Sequence, residues 1–146
     1  MCYSLYLSTN YSADLTRYNS ELLKFKRLDA AANDRINHLR HGQRWYVGSK
    51  SECSCTFRHL PSVELGFAEP VAWYPEGAAE LRATAELYRL IARLVAAGHQ
   101  VDCLDIWEGA DLQAISEQVV NLEAVSETAF RLFENYHLRP LRNRGQ

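Results

Sequence analysis

The sequence predicts a single α+β domain over residues 1–146, with a mixed or mostly antiparallel sheet and helices packed against it. Residues 2–9 and 101–107 are short runs rich in aromatic and β-favouring side chains, which is typical of strands. Residues 76–97 repeat apolar side chains every three or four positions, which predicts a long amphipathic helix. The strict alternation of strands and helices with glycine-rich turns that is typical of nucleotide-binding parallel sheets is missing.

Three further elements are expected before residue 42: a helical turn near 13–18, a strand at 22–28 and a helix at 29–40. In the segment 22–28, Leu23 and Phe25 alternate with lysines as they would in a strand, but a helical spacing of apolar residues fits too. That alternative stays open. The helix is predicted because Asp29 suits its N-cap and Gly42 lies just beyond its end.

Two strands joined by a tight polar loop are predicted at 44–48 and 53–59. Alternate side chains of a strand share one face. In the second strand that face would consist of Cys53, Cys55, Phe57 and His59. Because Phe57 marks this face as the apolar one, both thiols should be buried and slow to react.

In the C-terminal half, the helix at 76–97 is expected to be followed by strands and one further helix. A connection at 61–75 with an extended piece at 66–72 leads into that helix. After the strand at 101–107, the predicted elements are a strand at 112–120, a helix at 126–135 with Phe130 and Phe133 inward, and a short strand at 136–138.

Composition excludes several classes of protein. The net charge of −2 gives no general attraction to nucleic acid, so nucleic-acid binding is not expected. No apolar run is long enough for a membrane span and no leader is recognisable, which predicts a soluble, cytoplasmic protein. Four cysteines in such a chain are expected to be reduced thiols, with Cys103 packed inside its strand.

Cys53 and Cys55 are the candidate reactive residues of a thiol-dependent enzyme or redox sensor. Cations nearby in the sequence, among them Lys50, would raise the thiolate fraction of such a pair. The alternative is that both thiols pack as ordinary strand side chains. Asp105, in the strand at 101–107, is a further candidate for acid or base chemistry.

A Cys/His metal site is the third hypothesis, and strand geometry argues against its simplest form. At about 3.3 Å per residue, Cys55 and His59 would lie roughly 13 Å apart along one strand. Zinc ligands lie only about 2.0–2.3 Å from the ion. We therefore expect no metal ligands here, and no cofactor motif is present.

The leading hypothesis is a small binding or interaction domain with its surface around the 44–59 hairpin, because charged and aromatic side chains cluster there. The candidate ligand-binding residues are Arg44, Lys50, Arg58, His59 and Trp107. A cleft lined by Arg44, Arg58, Asp105 and Trp107 is one arrangement of this surface. The expected partner is a small molecule or another protein, a second copy of the chain included.

Overall fold

The computed structural model describes residues 3–28, 37–50, 53–60, 66–73, 75–107, 109 and 115–141. Within these ranges the helices and strands are β1 (Tyr3–Thr9), β2 (Lys24–Arg27), β3 (Gln43–Gly48), β4 (His59–Leu60), α1 (Ala78–Ala96), β5 (Val101–Trp107), β6 (Ser116–Asn121), β7 (Leu132–Phe133) and β8 (Tyr136–Leu141). Short 3₁₀ helices occur at Leu15–Tyr18 and Ser54–Thr56.

The predicted fold class is confirmed. Six strands form one mixed sheet in the order β2-β3-β1-β5-β8-β6, and β4 and β7 form a separate parallel pair. Neighbours in the large sheet are antiparallel, except that β6 runs parallel to β8. The central strands β1 and β5 pair along their full length, from Tyr3 opposite Trp107 to Thr9 opposite Val101.

Helix α1 begins after Gly77, its N-cap residue. The Glu80 side chain lies close to Gly77 in the first turn, where the helix dipole favours a negative charge. The helix ends before Gly98, whose positive φ of 94° is the backbone conformation that favours glycine. Between these ends Leu87 and Ile91 are fully buried against one face of the sheet.

Strand β5 is the centre of the fold because it is buried on both faces. Cys103 belongs to the main core, which lies between the sheet and α1. Leu104 and Ile106 belong to a smaller apolar cluster on the opposite face, together with Tyr6. A strand in this position forces any polar side chain it carries into the interior, and β5 carries two aspartates.

The predicted strand at 53–59 is wrong, and with it the hairpin. Residues 54–56 form a 3₁₀ turn, and only His59 enters a strand, which pairs with β7 rather than with β3. The reason is that the Ser54 side chain is bonded to two other strands: its hydroxyl donates to the Val47 carbonyl at 2.6 Å and accepts the Leu5 N–H at 2.9 Å. Side-chain hydrogen bonds of this kind compete with strand pairing.

The predicted helix at 126–135 is also wrong. The segment consists of turns followed by β7, and Asn135 turns the chain into β8 with a positive φ of 62°. Asparagine is one of the few residues other than glycine that tolerates this conformation. Phe130 and Phe133 are fully buried. The prediction that these two side chains point inward is confirmed, although the helix on which it was based is absent.

The extended piece expected at 66–72 is not a strand: Gly66 has a φ of 65° and only Val71 forms a bridge. The other predicted elements are confirmed or lie outside the described residues. Strands are found within 2–9, 22–28 and 44–48 and at 101–107, the helix lies within 76–97, and a 3₁₀ turn occurs within 13–18. The strand at 112–120 is observed from residue 116, and that at 136–138 extends to residue 141. Most of the helix at 29–40 and part of the connection at 61–75 lie outside the description. No helix in the described ranges is long and apolar enough to cross a membrane.

Candidate functional site

A buried histidine–aspartate pair joins β4 to β5 on the α1 side of the sheet. Nδ1 of His59 lies 2.7 Å from Oδ2 of Asp105, and the two side chains are 3% and 0% exposed. Nε2 of His59 lies 2.6 Å from the carbonyl oxygen of Ser54. The imidazole therefore spans from the central strand to the 3₁₀ turn.

These contacts limit the protonation states of the pair. A carbonyl oxygen only accepts, so Nε2 of His59 carries the proton that points at Ser54. Nδ1 then either donates to the Asp105 carboxylate or accepts a proton from the Asp105 carboxyl group. Burial raises the pKa of Asp105, and the neighbouring His59 opposes that rise. Because both ring nitrogens are engaged, His59 is not placed to take a proton from a thiol in this geometry.

Tyr3 packs over this pair and connects it to three other groups. Its ring stacks on the His59 ring with centroids 3.9 Å apart and contacts the Trp107 ring edge-on at 4.7 Å. Its hydroxyl donates to Oε1 of Glu134 at 3.0 Å. Its backbone N–H donates to Sγ of Cys55 at 3.3 Å.

The residues 53–57, which we call the thiol turn, hold two reduced cysteines. Cys53 is the N-cap of the 3₁₀ helix, and its Sγ accepts the N–H of Cys55 at 3.4 Å. Cys53 and Cys55 are both partly exposed and neither forms a disulfide. The prediction that both lie on the apolar face of one strand is therefore wrong. Each sulfur accepts a backbone N–H, which is the kind of hydrogen bond that stabilises a thiolate.

Cys103 has the opposite environment. It is 1% exposed within β5, which confirms the prediction that it packs inside the strand. Burial first, then the neighbouring Asp102 and Asp105, raise the pKa of its thiol well above the ordinary value. Cys103 is consequently an internal control for thiol reactivity in the same molecule.

The predicted cleft of Arg44, Arg58, Asp105 and Trp107 is not formed, because the two arginines are engaged elsewhere. The Arg44 side chain donates to the carbonyl oxygens of Leu39 and His41. Arg58 is 3% exposed and is bound to a carboxylate on the other side of β4.

Among the candidate ligand-binding residues, Tyr3 brings His59 and Trp107 together, and His59 also lines a small pocket with Arg58. Lys50 is exposed in a turn after β3. Among the described residues, no group of three or more His, Cys, Asp and Glu side chains is arranged to hold a metal ion.

Arg58 instead anchors a buried ion cluster. Its guanidinium binds Glu76 through Nε at 2.5 Å and Nη2 at 2.8 Å. It also donates to the carbonyl oxygens of Thr128, Phe130 and Ala68. Arg131 lies 3.5 Å from the same Glu76 carboxylate. Hydrogen bonding to Arg58 is the main reason that the pKa of Glu76 is lowered.

A second buried polar cluster lies on the opposite face of the sheet and was not predicted. Oδ2 of Asp102 accepts from Nε2 of His137 at 2.5 Å and from the backbone N–H of Arg40 at 2.9 Å. Its other oxygen accepts the hydroxyl of Ser8, which in turn accepts the N–H of His41. The aspartate lies between the serine and the histidine, so the serine is not activated by the histidine as a catalytic nucleophile would be.

The sequence did contain a signal for this second cluster. Asp102 and Asp105 interrupt an apolar strand three positions apart, and side chains at that spacing point to opposite faces. When a strand is buried on both faces, each carboxylate it carries needs hydrogen-bond donors from the residues packed against that face. The partners could not be named, because His59 and His137 come from distant parts of the chain.

Comparison of the chain with protein-family models, with curated proteins and with solved structures gives no match. In the part of the chain that the structure describes, the protein is an α+β domain with two buried His–Asp pairs and a turn that holds two thiols.

Proposed function

We propose that the chain is a thiol-based redox sensor in which Cys53 and Cys55 interconvert between the dithiol and a disulfide. The observation that supports this is the thiol turn itself, where two partly exposed thiols each accept a backbone N–H. A thiolate is the reactive form of cysteine, and hydrogen bonds to sulfur favour it. The surface once expected around Arg44, Lys50 and Arg58 has no comparable geometric support.

The turn also favours the spacing that a disulfide requires. In a strand, residues two apart have Cα atoms about 6.6 Å apart, near the upper end of the roughly 4.4–6.8 Å range of disulfides. A 3₁₀ helix rises only about 2.0 Å per residue, which brings the two Cα atoms closer. A bond between cysteines this close in sequence would be strained, and strained disulfides are the ones that are easily reduced again.

The reaction balances with a peroxide as oxidant. The thiolate of one cysteine attacks an oxygen of hydrogen peroxide, which breaks the O–O bond, forms a sulfenic acid and releases hydroxide. The second thiol then attacks the sulfenic sulfur, a water molecule leaves and the S–S bond forms. Peroxide is reduced by two electrons, the two thiols are oxidised, and a cellular dithiol restores them by exchange.

Treatment of the reduced protein with a small excess of hydrogen peroxide should lower its mass by about 2 Da, and dithiothreitol should reverse the loss. Peptide mapping should place the new bond between Cys53 and Cys55. The matched controls are C53S and C55S, which should not form the bond, and C103S, which should form it like the wild type because Cys103 is buried.

Two results would overturn the proposal. One is oxygen addition at Cys53 or Cys55 without a disulfide between them. The other is a peroxide response that is unchanged in C53S and C55S, which would assign it to other residues.

An exposed tryptophan favours a second candidate function, the binding domain that the sequence indicated. Trp73 is 76% exposed, and the only other large apolar side chain exposed among the described residues is Val119, at 52%. Two residues after Trp73 in the sequence, Pro75 lines a pocket of ≈ 180 Å³ together with Arg58, His59 and Glu76. Tryptophan is strongly enriched at the energetic centres of protein interfaces.

A second copy of the chain is the partner that can be tested directly. If Trp73 anchors self-association, W73S should weaken the dimerisation measured by sedimentation velocity by at least about tenfold in Kd. The matched control is V119S, which removes the other exposed apolar side chain and should leave Kd unchanged. Wild-type protein that stays monomeric at high micromolar concentration would contradict this candidate.

A further inference from the structure

We infer that His59, held by Asp105, is a positioning residue that makes Cys53 the attacking thiol of the pair. The inference rests on the proposed redox function and assigns roles within it. Cys53 would react with the oxidant, and Cys55 would resolve the sulfenic acid. His59 would act on Cys53 through the peptide group between them.

A single peptide unit links His59 to the Cys53 sulfur. The carbonyl of Ser54 and the N–H of Cys55 belong to the same peptide unit. The carbonyl accepts Nε2–H of His59 at 2.6 Å, and the N–H donates to Sγ of Cys53 at 3.4 Å. A hydrogen bond at one end of a peptide unit polarises the donor at its other end. His59 therefore orients and strengthens the donor that faces the Cys53 sulfur.

The charged groups near His59 determine which end of the imidazole faces the thiol turn. His59 is next to Asp105 on β5, the stacked ring of Tyr3 and the Phe57 ring at 6.3 Å. Glu134 lies behind the Tyr3 hydroxyl, and Arg58, Glu76 and Glu80 line a pocket together with His59. The neighbouring Arg58 is bound to Glu76. The Asp105 carboxyl group lies on the Nδ1 side, so the N–H end of the imidazole faces the thiol turn. That orientation favours a negative sulfur on the turn side.

The thiol turn is fixed by hydrogen bonds from Ser54 to three strands. The Ser54 hydroxyl binds Val47 of β3 and Leu5 of β1, and its carbonyl binds His59 of β4. The peptide unit cannot easily rotate while these bonds hold. A substitution of His59 would remove the hydrogen bond to the Ser54 carbonyl and leave both bonds of the Ser54 hydroxyl in place.

The test is the pH dependence of iodoacetamide alkylation, followed separately for Cys53 and Cys55 by peptide mass spectrometry in the reduced protein. In H59Q the midpoint of the Cys53 profile should rise by about one pH unit, so that its thiolate fraction at pH 7 falls about tenfold. The limiting rate at high pH should not fall, because the thiol is no less exposed. D105N, which keeps the size of the side chain, should move the Cys53 midpoint in the same direction by a smaller amount.

The matched control is H137Q, which breaks the other buried His–Asp pair without touching the thiol turn. It should leave the Cys53 midpoint unchanged. A wild-type midpoint in H59Q, an unchanged midpoint in D105N, or an equal shift in H137Q would each overturn the inference. Alkylation requires no disulfide, so its outcome is separate from that of the peroxide experiment on which the proposed function depends.

Discussion

Replacement of Arg58 by methionine should lower the free energy of unfolding by about 3–5 kcal/mol, because it removes one partner of a buried ion pair. The side chains of Arg58 and Glu76 are only 2% and 9% exposed. The substitution keeps the apolar stem of the side chain but withdraws every N–H donor. The carbonyl oxygens of Thr128, Phe130 and Ala68 would then lose their charged donor. The Glu76 carboxylate would lose its two hydrogen bonds from Arg58 and keep Arg131 at 3.5 Å.

The matched control is R89M, which removes the same chemical group from an exposed pair. Arg89 binds Glu127 at 3.0 Å, but their side chains are 56% and 37% exposed. Such surface pairs typically contribute less than about 1 kcal/mol. Urea unfolding followed by circular dichroism measures both variants. Similar small losses in the two would show that the Arg58 cluster contributes no more than a surface pair.

The effect of R58M should also depend on pH in a definite direction. The pKa of Glu76 is lowered in the folded protein, chiefly by its hydrogen bond to Arg58, so its ionised form is favoured by folding. The stability from this pair is present above the ordinary carboxyl pKa and is lost as the pH falls through the lowered value. The difference in unfolding free energy between wild type and R58M should therefore shrink in acid.

The parts of the fold that could be predicted are those governed by local periodicity. Alternation identified β1, β3 and β5, and the three-to-four spacing of apolar residues identified α1, because these patterns reflect which side of an element is buried. The segment 53–59 alternates as well, but side-chain bonds from Ser54 to two other strands determine its structure instead. Such bonds join residues 49 and 7 positions apart, and no local pattern records the first of them.

The sequence predicted several residues of the candidate site but not the contacts between them. Cys55, His59, Asp105 and Trp107 were all singled out, but the residue that joins them, Tyr3, was seen only as part of a strand. Its role depends on the register that places Tyr3 opposite Trp107, and on β4 pairing with β7. Register between strands about 100 residues apart in sequence follows from the whole core and not from either segment alone.

Replacement of Asp102 by alanine should lower the free energy of unfolding by about 3–5 kcal/mol, whereas the same change at Asp105 should have a smaller effect of about 1–2 kcal/mol. Both carboxylates are fully buried in β5 and both bind a histidine. They differ in the number of donors they satisfy. Asp102 accepts from the Ser8 hydroxyl, the Arg40 N–H and His137, so its removal leaves three donors without an acceptor.

Asp105 is the weaker contributor because its ionised form is disfavoured where it lies. Among the described residues its side chain binds only His59 through Oδ2, and Oδ1 has no hydrogen-bond partner. Burial raises its pKa, so folding favours the protonated form. Its contribution to stability is therefore present below the ordinary carboxyl pKa and is lost as the pH rises through the raised value in the folded state. D105A should accordingly be least harmful at neutral and alkaline pH.

Urea unfolding of D102A and D105A at a series of pH values tests this comparison. The two variants are matched, because they share the same substitution, the same strand and the same loss of side-chain volume. We expect the loss in D102A to exceed that in D105A by about 1–4 kcal/mol at pH 7. Equal losses would mean that the number of satisfied donors does not decide the contribution of a buried carboxylate in β5. A D105A variant that is most harmful in alkali would contradict the direction of the Asp105 pKa shift.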